Sequence, residues 1–338
     1  MTIRRAMPAL RTESRIRPLT VALAAVLLVA AAVPGAAAGI NWHDSYESAL
    51  SAAGQSDKPI LVFVYMSEQN RSASGPREQI RINREDAQGS GQRLDVVRML
   101  QETLNAPEVV EAATQFESFK LDLLDPANDD ARRQLKVSPG VDVSTDTRAA
   151  MYPLTVFLDS SGHELFRRPG SMPALGYAAL LGQAAKLQAA RNAVLDDPRD
   201  ATKRRQLGRA YMEMDPTPED RIYEAAVEHL QAAIQLDPQN ETGANFDAQV
   251  DLAILSIPEA PEEAVGRLFE LQTQGNDGHR KLEIQYYMAV AHFVMEDYAS
   301  AKKLLREFET EDRNSPYWDS PWTPQALGLL EYVKQLTR

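Results

Sequence analysis

The stretch that most constrains this chain is Lys58-Pro-Ile-Leu-Val-Phe-Val-Tyr-Met-Ser-Glu-Gln-Asn-Arg-Ser72. From Ile60 to Met66 every residue is apolar or aromatic, and the run is bounded by Pro59 on one side and a Ser/Asn cluster on the other. A strand with one solvated face would alternate polar and apolar side chains. This one does not, so it reads as a strand buried on both faces, inside a sheet that helices cover from above and below.

The surroundings supply the other parts of an α/β domain. Tyr46, Ala49, Leu50 and Ala53 recur at helical spacing behind a cap at Asp44 or Ser45, which predicts an opening helix. Pro107 to Thr114 predicts a short helix with proline in its first turn, Phe116 to Leu121 a strand, and Ala131 to Val137 a further helical piece. Leu154 to Leu158 and Glu164 to Arg168, joined by Asp159-Ser-Ser-Gly162, predict a closing hairpin, followed by a long helix from about Pro173 to Val194. Together these stretches resemble the thioredoxin fold. In that family the strand delivers a Cys-x-x-Cys pair to a helix N-terminus, where the dipole and free N–H groups stabilise the attacking thiolate.

This chain has no cysteine. The resemblance places Gln69 and Ser72 at the two cysteine positions with Asn70 and Arg71 between them, and Pro153 at the position of the family's cis-proline. An amide and a hydroxyl cannot exchange disulfides, so the family's electron transfer is excluded. Two polar stretches, about 73–93 and 138–150, depart from the family and read as insertions. The first is a solvated loop or a docking loop over the vestigial site. Asp122 to Asp130 is acidic but lacks the ligand order and central glycine of a calcium loop, and is expected to be a solvated turn.

The N-terminus addresses location. Arg4, Arg5, Arg11, Arg15 and Arg17 precede an apolar stretch from Leu19 to Val33, then Pro34-Gly35 and three alanines. That is the pattern of a Sec-type signal peptide over residues 1–38, with cleavage near Ala38, no stable membrane insertion afterwards and a periplasmic or secreted destination. Residues 1–38 hold five Arg and one Glu, a net +4, so cleavage would move the formal charge from −12 to −16. Such an acidic chain without a basic stripe is not expected to bind nucleic acid.

Past Asp196-Asp-Pro-Arg-Asp200 the pattern becomes all-helical. Leu207, Gly208 and Tyr211, then Ala226, Leu230, Ala233 and Pro238, resemble a tetratricopeptide repeat with six residues inserted around Asp215 to Pro218; Met288, Ala289, His292, Tyr298, Ala301, Leu305 and Phe308 resemble an uninterrupted second copy. The stretches 246–257 and 260–272 supply a helix pair between them, and Thr323 to Leu336 a capping helix. The expected architecture is therefore an α/β thioredoxin-like domain over 39–195 and an all-α repeat domain over 196–338, folding independently. The repeat resemblance implies that the first helix of each pair lines a binding groove, here Arg205, Arg209 and Met212 at a basic end and Tyr286, Val290 and Phe293 at an apolar end.

None of the five histidines forms a ligand pair on one helix, and no cofactor motif is read; His292 falls on a core position of the repeat, and Tyr317 to Trp322 is expected to pack under the capping helix. The functional expectation is a non-enzymatic envelope protein that binds another protein or peptide. Two alternatives stand beside it. One is a holdase-type chaperone. The other is an enzyme in the manner of glutathione transferases, which activate a bound thiol with Ser or Tyr; Ser72 or Tyr65 would serve, though neither has an evident base.

Overall fold

The computed structural model describes residues 39–67, 98–137, 152–216, 221–274, 278–310 and 312–337. The signal-like segment, both insertions, and Gln69, Asn70, Arg71 and Ser72 lie outside the described residues. All described residues belong to one compact unit.

The opening helix α1 (Tyr46–Ser56) starts where its sequence signals a start: Ser45 and Ser48 form a reciprocal capping box. Strand β2 (Ile60–Tyr65) lies at the centre of a five-stranded mixed sheet, flanked by β3 (Glu117–Asp122) in parallel and β4 (Leu154–Leu158) in antiparallel. The short β1 (Trp42–His43) extends the β3 edge and β5 (Glu164–Pro169) the β4 edge, giving the order β1-β3-β2-β4-β5. Helices α2 (Pro107–Ala113), α3 (Asp129–Leu135) and α4 (Ala174–Asp196) complete this part. It is a small mixed sheet with helices that resembles a thioredoxin-like fold, and the Tyr152–Pro153 bond is cis.

The period-two geometry of β2 explains its unbroken apolar run. Ile60, Val62 and Val64 join Tyr46, Ala49, Phe119, Val156 and Leu135 in one core, while Leu61 and Phe63 point the other way into a core with Phe157, Phe166, Tyr177 and Leu181. Ile60 to Val64 have no exposed surface. The Thr155 and Tyr177 hydroxyls, both buried in this wall, lie 3.1 Å apart and satisfy each other.

The C-terminal region is helix-rich: α5 (Ala201–Met212), α6 (Arg221–Leu236), α7 (Ala244–Leu255), α8 (Pro261–Gln274), α9 (Gly278–Val294), α10 (Tyr298–Arg306) and α11 (Thr323–Leu336). Gly208 is required where it stands, because a Cβ there would meet Leu230 Cγ at 2.7 Å and the Ala226 carbonyl at 3.2 Å, so α5 and α6 approach backbone to backbone.

The expectation of independent folding meets a different packing at the boundary. The core that holds Phe63, Phe157 and Tyr177 continues without a break through Leu187 and Val194 of α4 into Leu207, Tyr211, Met214 and Ala226. Polar latches reinforce it. Arg168 of β5 donates to the Met214 carbonyl at 2.5 Å, Gln183 of α4 donates to the Glu213 carbonyl at 2.9 Å, and Arg191 pairs with Asp159 at 3.0 Å. Helix α4 is thus a wall shared by sheet and helical array.

Candidate functional site

Two regions were marked by the sequence, and the structure treats them differently. Tyr65 ends β2, Met66 and Ser67 follow it, and cis-Pro153 stands immediately before the neighbouring strand β4. Asp122, expected in a solvated turn, is instead buried: its Oδ1 accepts the Ser67 and Leu124 N–H groups, each at 3.0 Å, and pins the end of β2 to β3. Tyr65 stacks on Phe63, with ring centroids 6.0 Å apart. Burial pushes its phenol up, and Asp122 and Asp125 push it further, so it holds its proton and is a poor base.

The second region is the face on which α5, α7 and α9 meet. Arg205 and Arg209, four residues apart, project from one side of α5 onto Asp251 of α7, which has no exposed surface. Arg205 Nε donates to Asp251 Oδ2 at 2.8 Å, Arg209 Nη1 to Oδ1 at 2.8 Å, and Arg280 Nη2 of α9 to Oδ1 at 2.9 Å. Glu283 closes the lattice, 2.9 Å from Arg209 Nη2 and 3.0 Å from Arg280 Nε. Asp247 stands further off, 3.5 Å from Arg205 and 3.6 Å from Arg280, and Glu213 lies at the rim, 3.8 Å from Arg209.

Burial alone would raise the Asp251 carboxyl, but Arg209, Arg280 and Arg205 override that and hold it below the usual carboxylate range. Burial likewise opposes the charge on Arg209, and Asp251 and Glu283 reverse it, raising its pKa. Three guanidiniums face three carboxylates, Asp247, Asp251 and Glu283, so the lattice cancels its own charge. The basic end expected from Arg205 and Arg209 is therefore neutral, a correction the sequence reading needs: both forks already grip internal acids.

The other expected groove residues separate into two groups. Met212 and Val290 pack, partly exposed, with Phe246 and Tyr287 around the α7–α9 core. Tyr286 is covered, stacked on Trp322 at 5.5 Å. Phe293 lies against Tyr298 and Tyr332, each at 5.8 Å, and Tyr332 is 41 % exposed. Beside this shelf Val294 and Leu336 are also exposed. Tyr317 packs edge-on to Phe308 as the sequence suggested, whereas Trp318 remains 40 % exposed. His292 is half-buried and 3.1 Å from Asp297.

The residues missed in the sequence are Asp251, Arg280 and Glu283 in the lattice and Tyr287 and Tyr332 among the aromatics, whereas Trp322, expected to pack, does so on Tyr286. A signal for the first existed: Asp247 and Asp251 repeat on α7 the four-residue spacing of Arg205 and Arg209 on α5. The two best-formed depressions among the described residues lie away from this face, one beside Asp200 and Asp237 and one beside Phe308 and Leu327. No helix among the described residues is long and apolar enough to cross a membrane.

No protein-family model and no curated protein matches the chain. A solved structure to which it is similar is that of a DsbH oxidoreductase, at 20% identity over 47% of this chain and 94% of that one, with a TM-score of 0.29. A likeness that low carries no argument by itself, and the thioredoxin-like resemblance rests on the sheet order and the cis-proline described above.

Proposed function

We propose that the protein is an exported, redox-inactive thioredoxin-like protein whose C-terminal helices are tetratricopeptide repeats, and that it binds another protein in the cell envelope rather than catalysing a reaction. The observation that carries this reading is the α5–α7–α9 face, where aromatic side chains stand partly exposed beside arginines locked by buried carboxylates. Rigid aromatic anchors of this kind dominate protein interfaces. The repeat assignment draws on the close α5–α6 approach at Gly208 and on the small buried residues Ala226, Ala233, Ala289 and Ala301. Export draws on the character of residues 1–38, and the absence of disulfide catalysis on the missing cysteines.

The test uses two phenylalanines of unequal position, Phe293 half-buried on the shelf and Phe269 exposed on α8. Phe293→Ala is expected to weaken capture of an identified envelope partner by about tenfold, or roughly 1.4 kcal/mol, whereas Phe269→Ala on α8 leaves capture unchanged. Equal capture by both variants contradicts the assignment of the face. In parallel, insulin-reduction turnover above buffer contradicts redox inactivity.

A further inference from the structure

The partner's chemistry follows from the charge balance of this face. Arg205 and Arg209 are the groups that would attract an acidic ligand, yet Asp251 and Glu283 sit within 2.9 Å of them and cancel their charge. A further carboxylate entering the lattice would face Asp247 and Glu213, both partly exposed at its edge. The chain next to the apolar shelf carries acids too, with Lys302 on α10 the nearby basic residue one turn past Tyr298. Glu296 and Asp297 follow Phe293 in the chain, Glu331 adjoins Tyr332, and both glutamates are exposed. Asp297 is opposed by His292, while the nearby Lys334 is engaged by Glu309 at 2.6 Å. The whole chain carries a formal charge of −12, so long-range potential also repels acidic ligands.

We infer that the occupant of this face is an extended protein segment with an aliphatic or aromatic core and basic flanks, read by burial on the Phe293–Tyr332 shelf and by the acidic border. This deepens the docking reading and rests on it. The locked guanidiniums have a different part here: each has five N–H donors in a fixed plane, and those left over donate to main-chain carbonyls of the segment without requiring an acidic side chain. Affinity then comes from apolar burial, which salt does not weaken, with a smaller screened contribution from the flanks.

Fluorescence anisotropy with the full chain tests this, using three labelled peptides that share one Leu/Phe/Val core and differ in flanks of Lys, Ser or Asp. The first two end in an amide and the Asp peptide in a free carboxylate. The Lys-flanked peptide is expected to bind about tenfold or more tighter than the Asp-flanked one, and the Ser-flanked peptide to keep its Kd within about twofold as salt rises past the point where the Debye length shrinks to ~3 Å. Tyr332→Ala and Phe293→Ala, each checked for an unchanged Tm, are expected to weaken the Lys-flanked peptide about tenfold. Tightest binding by the Asp-flanked peptide, still weakened by Phe293→Ala, overturns the inferred chemistry but leaves the docking face in place. Binding of any peptide that ignores both substitutions overturns the docking face as well, and no binding by any of the three overturns the inference.

Discussion

Residues 199–338 produced alone are expected to lose the cooperative thermal unfolding of the full chain, which itself melts in a single transition. Leu207 and Met214 are 2% and 1% exposed and Tyr211 is 8% exposed, and all three belong to the core that α4 shares with the sheet. Burying a large apolar side chain stabilises by about 1.5–3 kcal/mol, so uncovering three removes roughly 5–9 kcal/mol. That is comparable to the whole stability of about 5–15 kcal/mol of an ordinary domain. The cut also strips the Glu213 and Met214 carbonyls of Gln183 and Arg168, their donors across the boundary. Circular dichroism melts of the two proteins decide the matter. A fragment that unfolds cooperatively within a few degrees of the full chain contradicts the shared core.

Replacing Asp251 is expected to be the most damaging single change in the helical array. With Asp251→Ala, three arginines that are 19%, 22% and 4% exposed lose their common acceptor, and Arg280 has almost no access to water. Breaking a buried ion pair by removing one partner typically costs about 3–5 kcal/mol. The pH dependence has a definite sign. A carboxylate held below its unfolded value of about 3.9 stabilises the fold above that pH, and the contribution is lost as pH falls through the lower folded value. The gap in urea midpoint between wild type and Asp251→Ala is therefore expected to be full at neutral pH and to shrink in acid. A loss under about 1 kcal/mol at neutral pH contradicts the lattice, since only exposed pairs are worth so little. The same lattice makes Arg209→Glu a poor probe of docking, because the new carboxylate would face Asp251 and Glu283 and destabilise the fold itself.

Much of the sheet region was legible because it rests on local rules. The unbroken Ile60–Met66 run required two cores and the structure has two; the cap expected at Asp44 or Ser45 is Ser45; the resemblance around Tyr152-Pro153 implied the cis bond. What was not legible depended on relations between distant residues. Asp251 meets arginines 46 and 42 positions before it and 29 after it, and no window along the chain holds all of them. Their neutrality followed from that meeting, and it changed the nature of the expected groove. The change in pattern at Asp196 to Asp200 was real, but the same helix α4 buries one side on the sheet and another on α5, so a break in composition did not mark a break in packing. Likewise Trp318 and Trp322, four residues apart in one aromatic stretch, have opposite fates, one exposed and one stacked on Tyr286.

The central claim is that the face built by α5, α7 and α9, with its aromatic shelf, is where a partner docks. Site-specific photo-crosslinking in the envelope tests it most directly, with Phe293→p-benzoylphenylalanine on the shelf and Phe269→p-benzoylphenylalanine on the exposed side of α8. The account predicts a discrete crosslinked partner from position 293, identified by mass spectrometry at an apolar segment with basic flanks, and none from position 269. A partner crosslinked from 269 and not from 293 contradicts it.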